Sequence, residues 1–274
     1  MGLNSRFCSV RPKGSVAVSS DGTNIHYDVS GEGDVALVFV HGWCCDRTYW
    51  NSQVKHFASK YTVVTLDVAG HGESGHGRRK WTVAAFGEDI VAVVDQLLLK
   101  TVLLIGHSAG GQWIVEAARH LSTRVIGLVG VDTWHNVEQT FEVARIVELL
   151  APFRFNFTEA AQAHAREMFL PTSDSTLVAR VVDGMSAASP RMAIDAREEA
   201  LRTYHNLPKA LMDVKAPRMA INSKDFRYTN FEVAHRYGIE VVLVSGVGHF
   251  LMMEKPEEFN RKFEEGIRGF MAEI

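Results

Sequence analysis

Cysteine and long apolar runs are scarce in this chain, and neither sign of charge dominates it. The 274 residues include three cysteines, Cys8, Cys44 and Cys45. An odd number with two adjacent makes a poor disulfide framework, so we expect reduced thiols in a cytoplasmic protein. No apolar run approaches the roughly 20 residues of a membrane span, and the first residues lack the apolar core of a signal peptide. With a net charge of -3, neither nucleic acid nor a membrane surface is an expected partner.

Short apolar runs alternate with helical patterns along most of the chain. Continuous apolar runs of this length are typical of parallel strands buried on both faces. They lie at residues 35–40, 61–66, 102–105, 125–131, 219–221 and 240–244. Residues 15–19 and 24–29 alternate in character around an Asp-Gly turn, which predicts an antiparallel hairpin. Because predicted helices lie between the apolar runs, the pattern indicates an α/β fold with a mostly parallel sheet flanked by helices.

The strand rhythm is interrupted in the middle of the chain. Residues 134–213 are helix-like and contain no convincing buried strand. We predict that they form a helical cap inserted after the sixth strand, and that residues 1–133 and 214–274 form the core. Ligands in open α/β sheets bind at the carboxyl edge of the strands, so the cap is expected to cover the ligand site.

The segment Gly106-His107-Ser108-Ala109-Gly110 follows one apolar run and precedes a predicted helix at residues 112–121. A G-x-S-x-G sequence in that context is typical of a nucleophile elbow, a tight turn that exposes the serine hydroxyl. Ser108 is therefore the candidate nucleophile. A serine hydroxyl needs a base within hydrogen-bond reach, and His249 is the best candidate because it follows the last strand in a glycine-bracketed loop.

The base needs an acid that orients it and stabilises the imidazolium. Asp225, after the seventh strand, is the preferred candidate, and Asp132, at the end of the sixth, is the alternative. Both precede His249, and both therefore fit the Ser…Asp…His order.

The oxyanion of a tetrahedral intermediate needs two N–H donors. The backbone of Ala109, directly after the nucleophile, is expected to supply one, and the backbone of Trp43 the other. The side chains of Trp43, Cys44, Trp134 and Phe250 adjoin these catalytic segments in sequence, so we expect them to bind the substrate. This chemistry requires no cofactor, and no metal site is expected.

Four segments together carry a family resemblance, and they are His41-Gly42-Trp43, Asp67-Val68-Ala69-Gly70-His71-Gly72-Glu73-Ser74, Gly106-His107-Ser108-Ala109-Gly110-Gly111 and Gly248-His249. In these segments the chain resembles the α/β-hydrolase superfamily over roughly residues 24–270. The resemblance implies an eight-stranded sheet and a triad of Ser108, an acid and His249. These segments resemble in particular those of esterase- and lactonase-like serine hydrolases.

The reaction expected from these residues is hydrolysis of a carboxylic ester or lactone of a small, largely apolar substrate through an acyl-enzyme. An alternative rests on the segments 42–46 and 107–113, which also resemble the cofactor-free quinolone dioxygenases of the same fold. That resemblance implies oxygenation of a hydroxyquinolone-like heterocycle with His249 as base and Asp132 as its partner. A hydrolase-derived small-molecule receptor is a third possibility, and the oligomeric state is open.

Overall fold

One eight-stranded sheet forms the centre of the protein in the computed structural model, which describes residues 14–272. The spatial order of the strands is β1-β2-β4-β3-β5-β6-β7-β8. The strands are β1 (Ser15–Val18), β2 (Asn24–Ser30), β3 (Ala36–Val40), β4 (Thr62–Leu66), β5 (Val102–His107), β6 (Val125–Val131), β7 (Arg218–Ser223) and β8 (Ile239–Val244). Strand β2 pairs antiparallel with β1 and β4, and all other pairs are parallel. The predicted mostly parallel sheet is therefore confirmed, whereas Cys8 and the first residues lie outside the described residues.

Helices connect the strands and cover the sheet. They are α1 (Asn51–Phe57), α2 (Val83–Gln96), α3 (Gly110–Leu121), α4 (Val143–Phe155), α5 (Phe157–Glu167), α6 (Ser175–Ser186), α7 (Pro190–Thr203), α8 (Leu207–Asp213), α9 (Phe231–Arg236), α10 (Leu251–Glu254) and α11 (Pro256–Met271). Helix α2 packs on α3, and α1 packs on α11. Every residue of β3 and β5 is buried, as expected for central parallel strands covered on both faces. Within residues 14–272, no helix combines the length and apolarity needed to cross a bilayer.

Helices α4 to α8 lie between β6 and β7, in the segment predicted as a cap. Two hydrogen bonds join this segment to loops at the carboxyl edge of the sheet. The indole Nε1 of Trp43 donates to the Ala193 carbonyl in α7 at 2.7 Å, and the His249 amide donates to the Met168 carbonyl at 2.8 Å. The division of the chain into a core and a cap at residues 134 and 213 stays a prediction.

Candidate active site

Ser108 lies on a strained turn between β5 and α3. Its φ of 52° is in the left-handed region, which is unfavourable for a residue with a Cβ atom. The turn is tight because glycines flank it. A Cβ added to Gly106 would lie 2.4 Å from the Gly110 carbonyl oxygen, and one added to Gly110 would lie 2.6 Å from the His41 carbonyl oxygen. The chain therefore folds back closely, and the half-buried Ser108 is presented at the end of the sheet.

His249 lies in the loop between β8 and α10, and its neighbours fix that loop. Its amide donates to Met168, and the Nε2 of His107 lies 3.0 Å from its carbonyl oxygen. A Cβ added to Gly248 would lie 2.3 Å from the Met168 carbonyl oxygen, so only glycine fits there. His249 is only 5% exposed, and its ring lines the same cavity as Ser108.

Asp132 is the carboxylate that contacts His249. Its Oδ2 lies 2.5 Å from His249 Nδ1, and its Oδ1 accepts a hydrogen bond from the Ser223 amide at 2.8 Å. Burial raises the pKa of the Asp132 carboxyl, but the rings of His135 and His249 outweigh burial and hold the pKa below its usual range. An ionised carboxylate can only accept hydrogen bonds, so Nδ1 of His249 carries a hydrogen and Nε2 is left free to accept a proton.

The sequence favoured Asp225 over Asp132 as the partner of His249, and this preference was wrong, because Asp132 is the carboxylate that contacts His249. Asp225 is exposed, and its Oδ2 accepts from the Gly246 amide at 2.6 Å. One residue, Lys224, separates it from the end of β7, and the hydroxyl of Ser223 accepts from its amide at 3.1 Å. The turn thus directs Asp225 to the loop after β8. Asp132, by contrast, follows β6 directly with a left-handed φ of 46°.

Neighbouring polar side chains hold the turn after β6, and the sequence did not predict them as site residues. Asn222 Oδ1 accepts from the Thr133 amide at 3.1 Å, and its Nδ2 donates to Thr229 Oγ1 at 3.1 Å. His135 Nδ1 lies 3.0 Å from the same Thr229 hydroxyl. His135 Nε2 lies 3.6 Å from Asp132 Oδ1, which is too far for a hydrogen bond. These contacts join β6 to β7 around Asp132.

The backbone N–H groups of Trp43 and Ala109 have no acceptor among the residues that the structure describes. Both residues line the cavity beside Ser108. Gly42 allows their two loops to approach, because a Cβ added to it would lie 3.1 Å from the Ser108 Cβ. Unpaired donors in a cavity are available to a ligand, so this pair can hydrogen-bond an oxygen atom of a bound substrate.

The cavity has a volume of about 220 Å³. Trp43, Trp134 and Phe250 line it, but Cys44 does not, and its neighbour Cys45 does. The structure therefore places Cys44 beside the cavity lining and not in it, and its role in substrate binding stays a prediction. Cys44 has a left-handed φ of 56°, which turns the chain so that the adjacent cysteine takes the cavity position.

The cavity lining also includes three basic side chains that the sequence did not single out, and they are His164, Arg197 and Arg227. Burial, followed by the charge of Arg197, lowers the pKa of His164 to about 2, so its ring is neutral. A histidine and two arginines spread over a helical segment and a loop form no sequence motif. In residues 14–272, no three His, Cys, Asp or Glu side chains are grouped as a metal site would require.

The sheet order and the serine elbow at the carboxyl edge of β5 are those of the α/β-hydrolase fold. The chain belongs to the alpha/beta hydrolase family, whose model matches residues 37–262.

The chain is also similar to curated proteins and to solved structures. The chain is 25% identical over 244 residues to the dihydrolipoyllysine-residue acetyltransferase component of the acetoin cleaving system of Pseudomonas putida. The match covers 86% of this chain and 64% of that protein, so this chain spans less than two thirds of that relative. A solved structure described as Est816, an N-acyl homoserine lactone degrading enzyme, has a TM-score of 0.79 at 24% identity, covering 91% and 99% of the two chains. The esterase EaEST from Exiguobacterium antarcticum has a TM-score of 0.81 at 19% identity, covering 93% and 99%.

Proposed function

We propose that this protein is a serine hydrolase that cleaves a carboxylic ester or lactone of a small substrate. The observation that carries the proposal is the 2.5 Å contact between Asp132 and His249 in the cavity that Ser108 also lines. The contact supports a triad because it leaves His249 Nε2 as a proton acceptor. The unpaired N–H groups of Trp43 and Ala109 support the same reaction, since they are suited to an oxyanion.

In the acylation step, Ser108 Oγ forms a bond to the carbonyl carbon while His249 Nε2 accepts the hydroxyl proton. The carbonyl oxygen becomes negative and is held by the N–H groups of Trp43 and Ala109. Asp132 stabilises the imidazolium formed at His249 and remains ionised. The tetrahedral intermediate then expels the alkoxide, which takes the proton from His249, and the acyl group remains on Ser108.

In the deacylation step, a water molecule takes the place of the serine hydroxyl. His249 accepts a proton from the water as the oxygen attacks the acyl carbon, and it returns that proton to Ser108 Oγ when the acyl bond breaks. For a lactone, the alcohol and the acid leave as one molecule. No cofactor takes part in either step.

The cavity suggests the size and character of the substrate. Its volume of about 220 Å³ is below the range of about 300–1,000 Å³ typical of sites for drug-sized ligands. Trp134 and Phe250 line it with apolar surface, which favours a small substrate with a largely apolar body. The solved relatives described as an esterase and as a lactone-degrading enzyme motivate a substrate panel that includes both kinds of bond.

The test is a panel of short nitrophenyl esters and small lactones, assayed with the wild type and with Ser108→Ala. We expect turnover by the wild type and a loss of at least about 1,000-fold in the variant, because its nucleophile is missing. A control is Ser186→Ala, which changes a half-buried serine outside the cavity lining whose hydroxyl donates to the Asp183 carbonyl. Failure of the wild type to hydrolyse any ester or lactone would contradict the proposal.

The second candidate is a cofactor-independent dioxygenase, and the Asp132–His249 pair is the observation that favours it. The same pair could deprotonate a hydroxyquinolone-like heterocycle, which would then react with dioxygen. Cys45 and Ala109 stand where the resembled dioxygenases tend to carry histidines, which disfavours this candidate. Oxygen consumption with a hydroxyquinolone, in the absence of any ester or lactone turnover, would support the dioxygenase.

A further inference from the structure

Arg197 is a charged residue in the cavity that the proposed reaction does not use. It lies on α7 and lines the same cavity as Ser108. Its guanidinium carbon is 4.9 Å from the ring centroid of Trp43 and 4.8 Å from that of Phe153. Close contact with two aromatic rings stabilises a guanidinium cation and restricts its position. The group is therefore held next to the loop that carries one of the proposed oxyanion donors.

The Arg197 guanidinium has no ion-pair or hydrogen-bond partner within residues 14–272. The adjacent Glu198 is engaged elsewhere, since it pairs with Arg154 and Arg202. The thiol of Cys44 lies near Arg197, but burial raises the pKa of that thiol well above its usual value, and it stays neutral. Burial is also the main reason why the pKa of Arg197 falls to about 10, so the guanidinium is still protonated at neutral pH.

A second guanidinium faces the same cavity. Arg227 lines it and lies over the ring of Phe226, 5.2 Å from the centroid. It too has no ion pair in the described part of the chain. The cavity lining contains one carboxylate, Asp132, and that group already accepts from His249 and Ser223. Among the described residues, the cavity lining therefore has two positive charges without an ion pair, of which Arg227 is exposed to solvent, and no free negative charge.

An unpaired charge away from bulk water is unfavourable unless a partner offsets it. A guanidinium whose N–H donors are free is suited to a carboxylate, which it can bind with two parallel hydrogen bonds. Among residues 14–272 the Arg197 guanidinium has no acceptor, and a carboxylate of the substrate would supply one.

We propose that Arg197, with Arg227 beside it, binds a carboxylate group of the substrate, and that the natural substrate is the ester or lactone of a small dicarboxylic acid. This inference rests on the proposed hydrolase function, since it names the substrate class of that site. One carboxyl group of the substrate is esterified and reacts at Ser108, and the other is free and ionised. The apolar lining between the two ends contacts the carbon chain that joins them.

The kinetic test compares two nitrophenyl esters that differ in one group. The first is the mono-4-nitrophenyl ester of glutaric acid, with a free carboxylate, and the second has a carboxamide in its place. We expect the wild type to favour the carboxylate ester by about tenfold or more in kcat/KM, the usual effect of a charge-assisted hydrogen bond. In Arg197→Gln this ratio should fall to near one. Arg191→Gln is the matched control, because Arg191 lies on the same helix with an 80% exposed side chain, and it should keep the wild-type ratio.

A wild-type ratio near one would overturn the proposal. So would an equal loss on both esters in Arg197→Gln, because that is the result of a purely structural role. Arg197→Lys keeps the positive charge but removes the paired N–H donors of the guanidinium. It should keep part of the preference for the carboxylate ester, whereas a ratio near one in a variant that retains the charge would contradict the anion subsite.

A binding measurement separates this proposal from the hydrolase function itself. Calorimetry with glutarate and with its monoamide is carried out on wild type and Arg197→Gln. Glutarate should bind to the wild type more tightly than the monoamide, and this difference should disappear in the variant. If no ester is hydrolysed but glutarate still binds through Arg197, the hydrolase function fails and the anion subsite stands. If esters are hydrolysed but glutarate binds no better than its monoamide, the anion subsite fails.

Discussion

Asp132→Asn is the substitution that probes the triad most sharply, because both oxygens of the carboxylate accept hydrogen bonds. Oδ1 accepts from the Ser223 amide at 2.8 Å, and Oδ2 accepts from His249 Nδ1 at 2.5 Å. An asparagine has one oxygen and one NH₂ group. If its oxygen faces Ser223, its NH₂ faces His249, and Nδ1 must then become an acceptor. The hydrogen moves to Nε2, the tautomer that cannot take a proton from Ser108.

The opposite orientation of the asparagine also fails. Its NH₂ group would then face the Ser223 amide, so that two donors meet in a buried site, which is unfavourable. The corresponding substitution in a Ser-His-Asp triad lowers kcat about 10⁴-fold. Because each tenfold change in rate corresponds to about 1.36 kcal/mol, this loss corresponds to an activation free energy higher by about 5.4 kcal/mol. We expect a loss of that order in kcat for Asp132→Asn.

The assay is steady-state hydrolysis of a nitrophenyl ester by wild type, Asp132→Asn and Asp225→Asn. Asp225 is the matched control, since it follows the next strand but accepts only from Gly246 on an exposed turn. It should keep kcat within about threefold of wild type, because its carboxylate does not contact His249. The reasoning is refuted if Asp132→Asn retains a tenth or more of the wild-type kcat, or if Asp225→Asn loses as much activity as Asp132→Asn.

Two further predictions concern stability and loop geometry. Burial lowers the pKa of His71 to about 3. Below about pH 6.5 the unfolded chain therefore binds a proton at this ring that the folded chain does not bind. Through this ring alone, the free energy of unfolding should fall by about 2 kcal/mol from pH 7 to pH 5. Denaturant unfolding of His71→Gln at both pH values should show a fall in the free energy of unfolding that is smaller by that amount. The same fall as in the wild type would contradict this prediction. Gly248→Ala would bring a Cβ to 2.3 Å from the Met168 carbonyl oxygen and displace His249, so ester kcat/KM should fall about 100-fold. Gly269→Ala, where a Cβ meets nothing within 4 Å, should retain activity, and equal rates for the two variants would show that the loop tolerates the change.

The strands could be predicted because central parallel strands have a strong pattern in the sequence. Strand β3 at Ala36–Val40 is buried on both faces, so it is a continuous apolar run, and the prediction of residues 35–40 differs by one residue. The closing helix α11 begins at Pro256, where the sequence has a clear signal because proline is favoured in the first turn of a helix. Helix α3 begins at Gly110, two residues before the predicted start, since the elbow leads directly into its first turn.

The choice between Asp132 and Asp225 could not be made from the sequence. Both residues follow parallel strands at the same edge of the sheet, and both precede His249 in the chain. What separates them is the backbone conformation. Asp132 has a left-handed φ directly after β6, whereas the chain at Asp225 turns toward Gly246. Aspartate is one of the residue types enriched at positive φ, but both candidates are aspartates, so the residue type does not distinguish them.

Arg197 was missed for a different reason. It is one of several charged residues on α7, and others there form ion pairs, as Arg202 does with Glu198. A helix pattern shows which residues share a face, but it does not show which charge will lack a partner once the helix covers the sheet. That information depends on the packing of α7 against Trp43 and Phe153, which are distant in sequence.

Labelling with a fluorophosphonate tests the central claim, hydrolysis through Ser108, most directly. The protein is titrated with the probe, peptide mass spectrometry locates the adduct, and ester turnover is measured on the same samples. We predict one equivalent of probe on Ser108 and a loss of turnover in proportion to the labelled fraction. Full labelling of Ser108 with ester turnover unchanged, or turnover in a protein that takes up no probe, would contradict the claim.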